Sequence, residues 1–327
     1  MNFEEFLDQY QKVPVVEYPN LVPENPMVSV CVQTYQHAPY IRECLDSILM
    51  QKTDFPFEIL LGEDASTDGT REICIEYAEK FPDKIRLFLH HRENNIEILG
   101  TPTGRFNCLH NFYSAKGEFI ATCEGDDYWT DEYKLQKQYD FLEDNPDFAI
   151  CGHDAFIIKN GIIIKNSKLG PDNKTDFYTH QNNKKLSVLT LSAFYRKKDV
   201  YPSEAMNVLN FDTFLFTYIL ESGHYKYLDS IKPGAYRLHT GGMWSSRHSQ
   251  YKEISDINTQ FWLTKYFHNK NDINKRDYYG RNVVRKSISY LITPSWYNYF
   301  TIIKYMISLK FPRGYYYLHS IKKLLNF

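Results

Sequence analysis

The stretch "IATCEGDDYWTDEYKLQKQ", Ile120–Gln138, runs from an apolar segment through three acids into two aromatics and a charged helix. Glu124, Asp126 and Asp127 fall within four residues. Like charges this close repel, and a folded protein separates them or gives them a counter-charge. The apolar run has strand character and the acids stand where it ends. The cluster therefore expects a positive partner.

Working back from it, the same pattern recurs. "MVSVCVQTY" (27–35) is an apolar run of strand type that finishes on Thr34 and Tyr35. In "HAPYIRECLDSILMQ", Ile41, Leu45, Ile48 and Leu49 then recur at helical spacing. "FEILLGED" (57–64) reads as a second strand ending in Glu63 and Asp64, and "STDGTREICIEYAEKF" as a turn and helix. A third strand, "KIRLFLH" (84–90), precedes a loop and a helix near 107–115; "EFIATCEG" (118–125) is the fourth strand. Strands alternating with helices predict an α/β protein with a Rossmann-like, mostly parallel sheet flanked by helices. Ligands bind such sheets beyond the carboxyl ends of the strands. Three polar strand ends aimed at one crevice outweigh any single motif.

Downstream, "AFIIKNGIIIK" predicts a hairpin turning at Asn160-Gly161. "DTFLFTYILESG" predicts a helix closed by Gly223, and "GAYRLHTGGMWSS" a glycine-rich loop. Residues 251–327 read as helices. The expected organisation is a lead-in over 1–26, a main domain over 27–245 dividing at 130/131, and a helical, basic, aromatic-rich region over 246–327.

The 327 residues are ample for a buried core, and 24% charged with 43% hydrophobic residues is ordinary for a soluble globular chain. A net charge of −2 argues against nucleic acid as partner. That balance is uneven: no acid follows Asp277, whereas eight basic residues do, leaving 30 basic against 40 acidic side chains in residues 1–277. Such asymmetry points to peripheral contact of 278–327 with a membrane, or to packing of those helices on the acidic remainder. The six cysteines form no CxxC pair and read as free thiols of a reducing cytoplasm. The N-terminus has no signal-peptide pattern, and no apolar run reaches the ~20 residues of a spanning helix.

Four ordered motifs, "VSVCVQTYQHAPYIRECLDSIL", "GEDASTDGT", "AKGEFIATCEGDDYW" and "YRLHTGGMW", together resemble family-2 glycosyltransferases of the GT-A fold, of the bacterial surface-polysaccharide type. The resemblance covers about residues 27–245. It implies an inverting, metal-assisted transfer of a hexosyl or N-acetylhexosaminyl group from a nucleotide-sugar, of the uridine type, to a glycan or lipid-linked glycan. It also implies a cytoplasmic location. Asp126 and Asp127 match the acidic DXD-type motif: Asp127 is expected to hold Mn2+ or Mg2+ and Asp126 a ribose hydroxyl. Asp64 aligns with the acid that accepts the base N–H, and Glu63 departs from the usual Asp. Thr34 and Tyr35 flank the base. His239, in an Arg-x-His segment, is a second metal ligand, and Trp244 covers the donor. Arg105 is either a phosphate contact or a surface arginine, and Arg237 either binds phosphate or pairs with an acid. Asp212 stands where relatives carry the catalytic base, which takes the acceptor proton.

Blander readings stand beside these. The acids at 126–127 could simply cap the helix over 131–144, though Thr130 or Asp131 would suffice. Asp212 could be a helix-dipole carboxylate. Three other functions compete: a nucleotidyltransferase, which would need a glycine-rich phosphate loop that "QTYQHAPY" lacks; a glycosidase with two carboxylates and no nucleotide crevice; and a non-catalytic sugar-nucleotide-binding protein, in which Asp212 would be dispensable.

Overall fold

The structure, a computed structural model, describes residues 1–174, 187–242, 247–291 and 302–305. The chain opens with helix α1 (Phe3–Tyr10) and a short strand β1 (Val16–Glu17). There follow β2 (Val28–Thr34), α2 (Ile41–Leu49), β3 (Phe57–Glu63), α3 (Thr70–Lys80) and β4 (Ile85–Leu89). A small ribbon of β5 (Glu97–Ile98) and β6 (Thr101–Pro102) leads to α4 (Arg105–Ser114) and β7 (Phe119–Thr122). The second half adds α5 (Lys134–Asp144), β8 (Phe148–Gly152), β9 (Ala155–Lys159), β10 (Ile162–Lys165) and β11 (Phe194–Arg196). It ends with α6 (Phe211–Ile219), β12 (His224–Tyr227), β13 (Gly234–Leu238), α7 (Ser249–Asn269) and α8 (Ile273–Leu291).

Eight strands form the main sheet in the order β1-β4-β3-β2-β7-β11-β8-β12. β4, β3, β2 and β7 run parallel, while β1 and β11 are antiparallel to their neighbours. β3 is buried along its whole length and β2 nearly so, which is why both read as continuous apolar runs. The strand order reverses between β2 and β7, making the switch point where such sheets bind ligands. Right-handed crossovers place α2 and α3 on one face and α4 on the other. Close approach on the α4 face explains Gly62: a Cβ there would lie 1.8 Å from Asn107 Oδ1. Asn107 Nδ2 donates to the Gly62 carbonyl, and Asn111 Nδ2 to those of Val32 and Leu60.

The expected lead-in is part of this packing. Asn2 and Glu5 form a capping box, and α1 buries Phe6 against the rings of Phe106 and Tyr113. The hairpin expected at Asn160-Gly161 joins β9 to β10, with both turn residues left-handed (φ 49° and 76°) as a two-residue type I′ turn requires. β10, β9 and β13 make a second sheet, β13 parallel to β9.

The helix expected over 131–144 starts only at Lys134, without a side-chain cap. The two expected caps are otherwise engaged. Thr130 Oγ1 donates to the Pro233 carbonyl, while Asp131 accepts from the amides of Tyr133 and Lys232 and from Lys137 Nζ.

By compactness the chain divides into two units, Met1–Tyr201 with Phe216–Gly242 and Pro202–Leu215 with Met243–Phe327. The second unit is centred on α7 and α8, which bury Ile254, Ile257, Phe261, Phe267, Val283 and Val284. Asp212 belongs to this unit. Most of the basic, aromatic tail expected at a membrane lies outside the described residues. No helix among the described residues is long and apolar enough to cross a membrane.

One buried lysine in the first unit makes a testable statement. Lys134 is fully buried, its Nζ 2.7 Å from Gln138 Oε1 and 3.8 Å from the centre of the Trp129 ring. Burial pushes its pKa down to about 7. Between that value and its ordinary one the unfolded chain holds a proton that the folded chain has released, so Lys134 costs less stability as pH rises. The buried thiols act in the opposite sense, so the comparison must be between variants. The stability of Lys134→Met relative to the parent should fall by roughly 2 kcal/mol between pH 7 and 9 in urea unfolding. A pH-independent difference would mean the amine is not held in its neutral form.

Candidate functional site

Five loops, at the carboxyl ends of β2, β3, β4 and β7 and of β13, build the site. β2 ends on Thr34, whose Oγ1 lies 3.2 Å from His37 Nδ1. The chain turns there through Gln36 in a left-handed conformation, held by its amide donating to Ser66 Oγ, and the His37 amide donates to Thr70 Oγ1. β3 ends on Glu63, and Asp64 follows it. Both are buried and both face arginines.

Glu63 accepts from Arg71 Nε and from the Ser66 amide, while Arg71 also donates to the His90 carbonyl. It is a loop-organising acid. Asp64 Oδ2 accepts from Arg92 Nη1 at 2.5 Å and Asn95 Nδ2 at 3.2 Å. Burial raises the Asp64 carboxyl, against the pull of Arg92. The Arg92 guanidinium stacks 3.9 Å over the Tyr35 ring, so acid, arginine and aromatic form one patch. Arg92 and Asn95 carried no sequence signal.

After β7 the chain does not stay extended. The Asp127 amide donates to the Glu124 carbonyl, a tight turn that sends the two aspartates to different places. Asp127 is buried, and its Oδ1 accepts from the Arg237 amide on β13 at 2.8 Å. Asp126 Oδ2 lies 2.9 Å from His239 Nε2 and 3.9 Å from His37 Nε2. The sequence expectation paired Asp127 with His239; the structure pairs Asp126 with it, because Asp127 is taken by the β13 backbone. Arg237, left open between phosphate and acid, reaches Glu43 Oε2 at 2.5 Å and donates from Nε to the Asp126 carbonyl. Its guanidinium stacks over Tyr40. Gly125 permits the convergence: a Cβ there would be 2.7 Å from Thr34 Oγ1 and 2.9 Å from His37 Nδ1.

His37, Asp126 and His239 each offer a ligand atom, all within 4.8 Å of one another; among the described residues no other such group of three occurs. The donor chemistry fits a divalent cation, with two imidazoles suiting Mn2+ better than the oxygen-preferring Mg2+. The electrostatics agree. Burial, then the charges of Asp126 and Glu124, hold the Asp127 carboxyl well above its ordinary range. Burial would raise Asp126 too, but His239 and His37 bring it below. Burial lowers the His37 imidazole more than Asp126 raises it, which keeps a lone pair available at neutral pH. The site is short of positive charge, as the opening acids implied.

Of the remaining expected site residues, Arg105 is buried at the first turn of α4, which removes its surface reading. Asp212 sits in the first turn of α6, its Oδ1 accepting from the Thr213 amide. Trp244 lies outside the described residues. His37 was missed by the sequence reading, although its place three residues beyond a strand end was a usable signal.

The model of the Glycosyl transferase family 2 domain matches residues 29–201. An uncharacterized protein of Mycobacterium tuberculosis is 33% identical over 244 residues, 73% of this chain and 64% of that protein. The chain thus spans less than two thirds of the length of that relative. TuaG of Bacillus subtilis, whose name provisionally assigns it a glycosyltransferase role in teichuronic acid biosynthesis, is 33% identical over 129 residues, 39% of this chain and 47% of that one. Among solved structures, TarS 1-349 of S. aureus in complex with UDP-GlcNAc superposes with a TM-score of 0.55 at 17% identity, covering 90% of this chain and 80% of that one. The mannosyltransferase PcManGT of Pyrobaculum calidifontis, in complex with GDP-Man and Mn2+, gives 0.50 at 17% identity over 98% and 86%. At such identities the likeness concerns the fold, which is GT-A.

Proposed function

The chain belongs to glycosyl transferase family 2, and from that premise we propose that it transfers a sugar from a uridine-diphosphate donor to a hydroxyl of a glycan or lipid-linked glycan, inverting the anomeric carbon. The observation that carries this reading is the convergence of Asp126, His37 and His239 at the sheet's switch point, beside the Asp64–Arg92–Tyr35 patch. Uracil presents an N–H next to a carbonyl oxygen; Asp64 accepts from the first, and Tyr35 offers its ring to the base. The UDP-GlcNAc complex of TarS supports the uridine reading.

In the reaction the acceptor oxygen attacks the anomeric carbon as the bond to the diphosphate breaks, and the acceptor proton passes to a carboxylate. That role falls to Asp212 by its position in the family pattern. Asp126, His37 and His239 would hold Mn2+ or Mg2+, which when bound supplies positive charge to the departing diphosphate. Thr34 fixes His37, and Asp127 ties the acidic loop to β13. The acceptor and the membrane face at which a lipid-linked glycan would be met are part of the same proposal.

The test is release of UDP from a panel of UDP-sugars with purified protein and Mn2+. Release that requires both an acceptor and nucleotide supports transfer; hydrolysis of glycosides without any nucleotide would favour a glycosidase. Asp64→Ala should weaken UDP binding by about one to two orders of magnitude, the cost of losing a charged hydrogen bond of about 1.5–3 kcal/mol. Unchanged UDP affinity by calorimetry would remove Asp64 from base recognition.

A further inference from the structure

The β9–β10 hairpin carries an apolar surface that the proposed transfer reaction does not use. Ile162, Ile163 and Ile164 are 68%, 52% and 55% exposed and lie consecutively on the edge strand of the second sheet. Successive strand residues point to opposite faces, so these isoleucines present apolar surface on both sides of the ribbon. A protein partner adding to a sheet face would need one side only.

The charge within the hairpin's own stretch is of a single sign. From Ala155 to Gly170 the chain holds Lys159, Lys165 and Lys168 and no acid. Lys159 and Lys165 are exposed at the two ends of the tip, and Lys168 stacks 3.4 Å over the Tyr236 ring. The nearest flanking acids are Asp154, buried and paired with Lys174, and Asp172. The edge itself is poorly suited to pairing with another strand, since the register slips between Ile163 and Lys165.

We propose that this hairpin docks the protein on an anionic lipid surface, with Ile162–Ile164 entering the interface and Lys159 and Lys165 against the headgroups. Apolar side chains ringed by lysines are what an interfacial anchor presents to such a surface. The turn has a fixed relation to the site. β13 runs parallel to β9 with Leu238 opposite Lys159, so the tip projects from the strand ends that also carry His239. Docking there would bring the candidate site to the membrane face. Its residues, 159–165, are separate in sequence from the basic tail.

The full chain is tested by co-sedimentation with vesicles of phosphatidylcholine alone or with phosphatidylglycerol. A tip tryptophan, Ile163→Trp, reports location. The expected result is binding to the phosphatidylglycerol vesicles, with a blue shift of the tip tryptophan's emission relative to the parent's. Ile162→Ser/Ile163→Ser/Ile164→Ser and, separately, Lys159→Glu/Lys165→Glu should each weaken binding tenfold or more, with UDP affinity and melting midpoint unchanged. Binding by the triple serine variant equal to the parent's, or no shift at the tip tryptophan, would overturn the proposal and assign any lipid contact elsewhere. A parent chain that ignores vesicles but is dimeric in solution, and becomes monomeric in the triple variant, would equally overturn it, making a second copy the occupant.

Discussion

Asp126→Ala abolishes the Mn2+-dependent gain in UDP affinity and lowers transfer by three orders of magnitude or more, if the cluster at the β7 end holds the cation. The carboxylate is the only anionic ligand in a set completed by two imidazoles, and without it His37 and His239 are left with no charge to offer a divalent ion. Electrostatic help to a leaving diphosphate is among the strongest effects open to such a site, and losing one such element costs about 10²–10³ in related chemistry before any loss of donor binding. The informative control is its neighbour. Asp127→Asn keeps an acceptor for the Arg237 amide and removes a carboxyl whose ionised form burial, Asp126 and Glu124 already oppose. It should therefore fold, retain Mn2+ binding by electron paramagnetic resonance, and retain the Mn2+ effect on UDP. If Asp127→Asn loses the effect and Asp126→Ala keeps it, the two roles are reversed.

Asp212→Asn stops turnover by about 10²–10⁴ while leaving UDP affinity close to the parent's, the range expected when a positioned general base is removed. Asparagine preserves size and can still accept from the Thr213 amide, so the first turn of α6 should survive. Transfer and calorimetric UDP binding measured on one preparation separate chemistry from donor binding. Near-parental turnover would move the base to another carboxylate, with Glu204 and Glu221 the nearest acids in sequence on either side.

Much of this was legible in the sequence because strand ends are. β2, β3 and β7 bury both faces, so their apolar runs stop where the crevice begins; Thr34 closes β2, Asp64 directly follows β3, and Asp126 lies four residues beyond β7. The choice between Asp126 and Asp127 was not legible. It depends on a turn closed by the Asp127 amide and on a strand-end amide, that of Arg237, 110 residues away. Arg92 was invisible for a similar reason: its place over Tyr35 and against Asp64 comes from folding an irregular loop back onto two strand ends. Glu63 looked like a variant ligand-binding acid, yet it anchors Arg71. His37 follows a residue with positive φ, and that turn is what aims its ring at Asp126.

Isothermal titration of UDP into the full chain, with Mn2+ and then with a chelator, tests the central claim most directly, with GDP and ADP as comparisons. The account predicts saturable UDP binding with Mn2+, at least tenfold weaker with chelator, and tighter than either purine diphosphate. Equal UDP affinity with and without the metal, or no preference among the three nucleotides, would contradict it.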